Sequence, residues 1–134
     1  LLRYSRGKQY PPASLNGNYA DESTKQIIGL VIDCVEDGFA GPTPERRFPS
    51  NHYGVFDIDC NESEWVHDYN TIHSAPGTQV FVDPAGPPQG KHHVIRGASW
   101  LRGTLSNTRL AYRDYRQKPK VDVGFRIARY VDIE

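Results

Sequence analysis

Asn51–Trp65 reads NHYGVFDIDCNESEW, and the fold turns on how this stretch is read. Four carboxylates, Asp57, Asp59, Glu62 and Glu64, crowd into eight residues around Asn61. That much negative charge in one turn is costly unless a hard cation or nearby arginines neutralise it. Ca²⁺ suits the first answer, because it accepts carboxylate, amide and main-chain oxygens in a flexible shell. The loop is not an EF-hand, since its glycine and final glutamate are not at that spacing. A second acidic turn, Glu36-Asp37-Gly38-Phe39, lies upstream, and Asn18, following Gly17, is an amide able to approach it.

Outward from this turn the chain reads as short strands joined by long loops. Val121, Val123, Phe125 and Ile127 share one face of a strand in VDVGFRI, with Asp122, Gly124 and Arg126 opposite. His92–Ser99 and Arg109–Tyr115 are further strand candidates. Ile27–Val35, rich in isoleucine and valine and too short for a helix, reads as a buried strand. Leu1–Arg6 reads as the end of an amphipathic helix stopped by Gly7. Trp65, Trp100, Tyr53, Phe56, Tyr112 and Phe125 are the expected core, plugged by Phe39 and Phe48. Twelve glycines and ten prolines among 134 residues argue for many turns and against a helical bundle. The length fits a single domain, 1–134.

Composition excludes several classes of function. Sixteen basic and sixteen acidic residues give no electrostatic case for nucleic acid or an anionic membrane. No apolar run is long enough to span a bilayer, so no transmembrane segment is expected. Cys34 and Cys60, the two cysteines, can pair or both be free. His52, His67, His73, His92 and His93 follow no metal-binding spacing. Ser99 and Ser106 lie outside any nucleophile elbow. Arg96, Arg109, Arg113 and Arg126 recur beside the aromatic segments, where an arginine fork can tie loops internally or hold a carboxylate.

NHYGVFDIDCNESEW resembles the NxxGLYDMxGNVWEW signature of the formylglycine-generating enzyme family, also called the sulfatase-modifying factor domain. Ala98-Ser99-Trp100 within RGASW resembles its RGGSW, and DVGFR its GFR ending. GNYAD and EDGFAGPTP match earlier segments in the right order, and LLRYSRG looks like the end of its EWEYAARGG helix. The family domain is considerably longer than this chain. The resemblance therefore implies a C-terminal portion, with the N-terminal part missing or on a companion chain.

The resemblance implies an α+β, loop-rich, C-type-lectin-like fold of the formylglycine-generating enzyme type, stabilised by calcium. By match to the motifs, one metal site takes the Asn18 side chain, Tyr19 carbonyl, Asp37 carboxylate and Phe39 carbonyl. The other takes Asp57, the carbonyls of Cys60 and Glu62, and the Glu64 carboxylate. Cys60 stands where the family has glycine. If that glycine normally takes a positive φ, the replacement strains the turn by about 1 kcal/mol. Catalytic members use copper and a cysteine pair just after GGSW. Here that region is WLRGTLSNTR, with Arg102 near the first thiol position and no cysteine, and an arginine cannot bind Cu(I).

The expected function is thus a non-catalytic or divergent family member. It would serve as a ligand-binding or assembly module, with a cleft at Trp100, Arg102, Asn107 and Arg109 for a protein or glycan ligand. Arg102 and Arg109 favour an anionic or carboxylate-bearing partner. The alternative is an oxygen-dependent oxidoreductase, of the formylglycine-generating branch or the iron-dependent sulfur-chemistry branch, with an altered site. The resemblance favours a periplasmic or extracellular location.

Overall fold

The computed structural model describes residues 3–4, 7–11, 16–58, 60–72, 82 and 86–129. Among the described residues, four short strands form one sheet: β1 (Ser63–Tyr69), β2 (His93–Arg96), β3 (Asp114–Arg116) and β4 (Val123–Phe125), in the order β3-β2-β1-β4. β1 carries the aromatic residues that favour a pleated, half-buried surface. It pairs antiparallel with β2 through Glu64↔Arg96 and Trp65↔Ile95, and after an irregular stretch through Tyr69↔His93. β3 adds to β2 antiparallel, while β4 runs parallel to β1 with Glu64 opposite Gly124. Val94 and Ile95 point to opposite faces of β2 and both are buried, so both faces of the sheet centre are covered.

The α+β, lectin-like expectation is not met. Among the described residues the only helical element is a three-residue 3₁₀ turn, Glu22–Thr24, capped by Asp21. The domain is mostly β and rich in irregular chain, in keeping with its glycines and prolines. In the anticipated helix end, Leu1, Leu2, Ser5 and Arg6 lie outside the described residues. Tyr4 instead exchanges main-chain hydrogen bonds with Gly7.

Ile27–Val35 is not a strand either. Ile27 and Leu30 are exposed, the backbone turns at Asp33 and Cys34, and Ile32 alone makes a parallel bridge to Asp21. The left-handed φ of 61° at Cys34 breaks the extended path that a strand would need.

Loops build the core. Tyr19, Ile32, Val35, Cys60 and Ala98 pack together, with Tyr10 against them. Phe48 is buried and meets Phe39 edge-on at 6.3 Å. Trp100 is buried as expected, but Tyr53 and Phe125 are exposed and take no part in the core. The apolar row on β4 also faces outward: Val121 is 75% exposed, Phe125 76% and Ile127 85%. Among the described residues, β4 is an edge of the sheet.

No disulfide joins the two cysteines: Cys34 is exposed and Cys60 buried. Cys60 does not take the positive φ expected at its position; that conformation falls on Asp57 (54°) and Asn61 (67°) instead. Asp and Asn tolerate the left-handed region better than most residues, so the turn keeps its shape without a glycine. The Cys60 side chain is accommodated because position 17 is glycine. A Cβ there would sit 2.5 Å from Cys60 Sγ, closer than any packing allows.

Candidate acidic pocket and the Trp100 loop

Asp21 caps the 3₁₀ turn and is fully buried. Its Oδ1 accepts the Ser23 amide at 2.9 Å, and its Oδ2 accepts the Asp37 amide at 2.5 Å. That second bond draws the Glu36–Phe39 turn against the Asn18–Asp21 segment. Asp37 then accepts the Tyr19 amide at Oδ2 (3.1 Å) and the Phe39 amide at Oδ1 (2.8 Å). Asn18, also fully buried, donates from Nδ2 to Gly41 O at 2.8 Å and to Asn61 Oδ1 at 3.1 Å. The fold thus brings Asn18, Tyr19, Asp37 and Phe39 together, with Asp21 beside them.

Two features of this cluster leave an amide oxygen and its negative charge uncompensated among the described residues. Asn18 Oδ1 is buried and has no hydrogen-bond partner among the described residues, a loss of about 1–3 kcal/mol for such a group. No lysine or arginine among the described residues pairs with Asp21 or Asp37. Burial pushes the Asp37 carboxyl from an ordinary 3.8 up to about 6; the Phe39 and Tyr19 amides oppose the shift, and nearby Asp21 adds to it. One carboxylate, one amide oxygen and main-chain carbonyls are a donor set that fits Ca²⁺. Groups of three or more His, Cys, Asp or Glu side chains that could hold a metal ion do not occur among the described residues.

The second acidic turn is arranged differently. Arg126 reaches back from beyond β4 and donates to Glu64 Oε1 from Nη2 (2.6 Å) and Nε (3.0 Å), and from Nη2 to Phe56 O at 2.9 Å. The carboxylate holds the Arg126 guanidinium above its ordinary pKa range. Asp57 Oδ2 accepts the Arg46 amide, while its buried Oδ1 has no partner among the described residues. The Cys60 carbonyl accepts the Glu62 amide at 2.9 Å. The Glu62 carboxylate lies over Gly124, where a side chain would collide with it. These residues line an open cleft of about 780 Å³ along β4, together with Phe56, Phe125 and Ile127.

The Trp100 loop follows β2. Arg102 is an internal tie: its Nη2 pairs with Asp114 Oδ2 at 2.8 Å and its Nε with Asp122 Oδ2 at 3.4 Å. Asp122 is fully buried and also accepts from Ser99 Oγ at 2.9 Å. Asn107 accepts Thr104 Oγ1 at 2.6 Å, and Arg109 is exposed. Trp100 Nε1 is buried without a partner among the described residues. His52 and His93 lie tilted against Tyr53 and Tyr69, and His92 meets Tyr115 edge-on, rather than converging; His73 lies outside the described residues.

Asn61, Asp21, Thr43 and Asp122 organise these sites without having stood out in the sequence as candidates. The signal for Asn61 was available. It sits at the centre of the acidic turn, and asparagine is one of the few side chains suited to a left-handed residue.

Comparison with known proteins finds relatives of this chain. The sulfatase-modifying factor enzyme 1-like domain matches residues 3–131. The formylglycine-generating enzyme of Bos taurus is 41% identical over 71 residues, 53% of this chain and 18% of that protein. The inactive C-alpha-formylglycine-generating enzyme 2 of Mus musculus is 37% identical over 70 residues, 52% of this chain and 18% of that protein. The solved structure of Treponema denticola variable protein 1 superposes with a TM-score of 0.70 at 23% identity, covering 93% of this chain and 40% of that one. The chain therefore spans well under half the length of each of these proteins.

The raised Asp37 pKa predicts a pH signature. Because the folded value exceeds the ordinary one, folding favours the protonated acid. The associated stability is full below about pH 4 and is lost as pH rises through about 6. In chelator, Asp37→Asn, permanently neutral, should gain in melting temperature relative to the parent as pH rises from about 4 to 7, and no further above. A difference independent of pH, followed by calorimetry, would contradict the burial argument.

Proposed function

This chain belongs to the sulfatase-modifying factor enzyme 1-like domain family, and on that premise we propose that it is a divergent, non-catalytic member, stabilised by Ca²⁺ and acting in binding or assembly. The observation that carries the reading is the absence of the cysteine pair. Near the place where the family resemblance expects the first thiol, this chain has Arg102, occupied with Asp114 and buried Asp122. Cys34 and Cys60 lie elsewhere, the latter sealed in the core. That an inactive relative exists in the mouse supports a family able to lose its chemistry while keeping its scaffold.

Calcium belongs first in the Asn18/Asp37 pocket. The orphaned Asn18 oxygen and the two unpaired acids support it there, with Asn18, Tyr19, Asp37 and Phe39 as ligands. At the Asp57/Glu64 turn, with Cys60 and Glu62, a cation would compete with Arg126 for Glu64, so arginine neutralisation is the preferred reading of that turn.

For the ligand, Arg109 is the exposed cation of the Trp100 loop. It suits a carboxylate-bearing protein or glycan, while Trp100, Arg102 and Asn107 shape the loop that presents it. The uncovered apolar row on β4 and the open edge beside it support a companion chain or a further part of the same domain packed there. Among the described residues no helix is long and apolar enough to cross a membrane. Residence in the periplasm or outside the cell remains part of this proposal.

Three measurements bear on these readings. Protein purified without chelator should carry calcium by elemental mass spectrometry and melt several degrees higher than in EGTA, and Asp37→Ala should remove most of that difference. Stoichiometric copper or iron would overturn the non-catalytic reading, and superimposable melts would remove the calcium. Arg109→Glu should abolish retention on an immobilised carboxylate-rich peptide with an unchanged melting temperature; unchanged retention would take Arg109 out of the binding surface. The 134-residue chain alone should associate or bind an apolar dye at β4, whereas a non-associating monomer with cooperative unfolding and no dye binding would argue against a companion.

A further inference from the structure

Asn61 makes five hydrogen bonds that join three separate loops. Its amide donates to Asn18 O at 2.8 Å, and its carbonyl accepts the Trp100 amide at 2.9 Å. Its Oδ1 accepts from Asn18 Nδ2 (3.1 Å) and from the Thr43 amide (2.8 Å), while its Nδ2 donates to Thr43 O at 3.1 Å. The residue is almost fully buried and sits at a φ of 67°, so side chain and backbone are both held in one arrangement. One end of this assembly is the Asn18 carboxamide, whose buried Oδ1 has no partner among the described residues. The other end is the amide of Trp100, at the start of the loop carrying Arg102 and Arg109.

We propose that Asn61 couples cation binding in the Asn18/Asp37 pocket to the order of the Trp100 loop. This deepens the calcium reading and rests on it. A cation on Asn18 Oδ1 polarises that carboxamide, so its Nδ2–H groups become stronger donors to Asn61 Oδ1 and Gly41 O. The Asn61 carboxamide is planar and already clamped to Thr43 at both ends, so it cannot swing to absorb the change. The gain passes to the Asn61 backbone, which is the acceptor for Trp100. By linkage, whatever orders the Trp100 loop tightens cation binding by the same factor. A ligand taken at that loop would then be held best by the calcium-loaded form.

Asn61→Gly separates this role from a scaffolding one, because glycine keeps the left-handed backbone and both main-chain bonds while deleting the side-chain relay. The test is made on the protein as purified, with any chain that accompanies it. Ca²⁺ binding is followed by calorimetry, and exchange of the Trp100 amide is followed by hydrogen–deuterium mass spectrometry, with and without Ca²⁺. In the parent, Ca²⁺ should slow Trp100 exchange about tenfold, within the range that coupled sites ordinarily span. In Asn61→Gly, Ca²⁺ should still bind, about tenfold more weakly, and Trp100 exchange should no longer respond to it. Asn61→Asp retains the Oδ acceptor for Asn18 and Thr43 and should restore part of the response.

A purely structural role would speed exchange equally in both conditions and leave the calcium response intact, which would overturn the coupling. Parent protein that binds Ca²⁺ with unchanged Trp100 exchange would also overturn it, leaving the calcium site standing. No binding heat in the parent removes the calcium reading and the coupling together. The parent arms decide the matter even where a variant fails to fold.

Discussion

Everything in this domain hangs on a buried asparagine in the middle of an acidic turn. Asn61 supplies in one side chain and one peptide unit the bonds that a longer sheet or a helix would otherwise provide. With strands of seven, four, three and three residues, regular hydrogen bonding is too sparse to position the loops. Buried polar groups must be satisfied, and here their partners come from other loops rather than from neighbours in a ladder. Such networks specify one arrangement because a half-made version leaves several buried groups unpaired at once.

The carboxylates divide into two kinds by how they are neutralised. Asp114, Asp122, Glu64 and Asp68 each meet an arginine of this chain. Asp122 is the deepest of the four, and Arg102 shares its neutralisation with Lys120, whose Nζ lies 3.5 Å from Asp122 Oδ1. Asp21 and Asp37 instead meet backbone amides, which orient a carboxylate without cancelling its charge. The first kind is tied by ion pairs and, among the described residues, the second is held by amides alone, and the difference lies in where the arginines fall.

Several features were legible from residue order alone. The family was legible through the resemblance of its motifs, and the strands around Val94 and Val123 follow from residue type and spacing. The apolar alternation of VDVGFRI was also real, yet it marks a face left open rather than a core. Alternation reports which side is apolar, not whether anything covers it. Ile27–Val35 misled for a related reason. Its composition suits a strand, but among the described residues no neighbouring strand offers it a ladder, and the left-handed Cys34 ends the extended path.

The sequence by itself determined the family, the loop-rich character and the identity of the acidic turns, because these depend on residue types at short separations. The tertiary structure alone decided which arginine meets which acid, that Arg102 is tied inward while Arg109 faces out, and that Asn61 stands between two sites. Asn18 and Asn61 are 43 residues apart, and Glu64 and Arg126 are 62 apart. Contacts at such separations carry no local periodicity, and form only when the whole chain closes on one core.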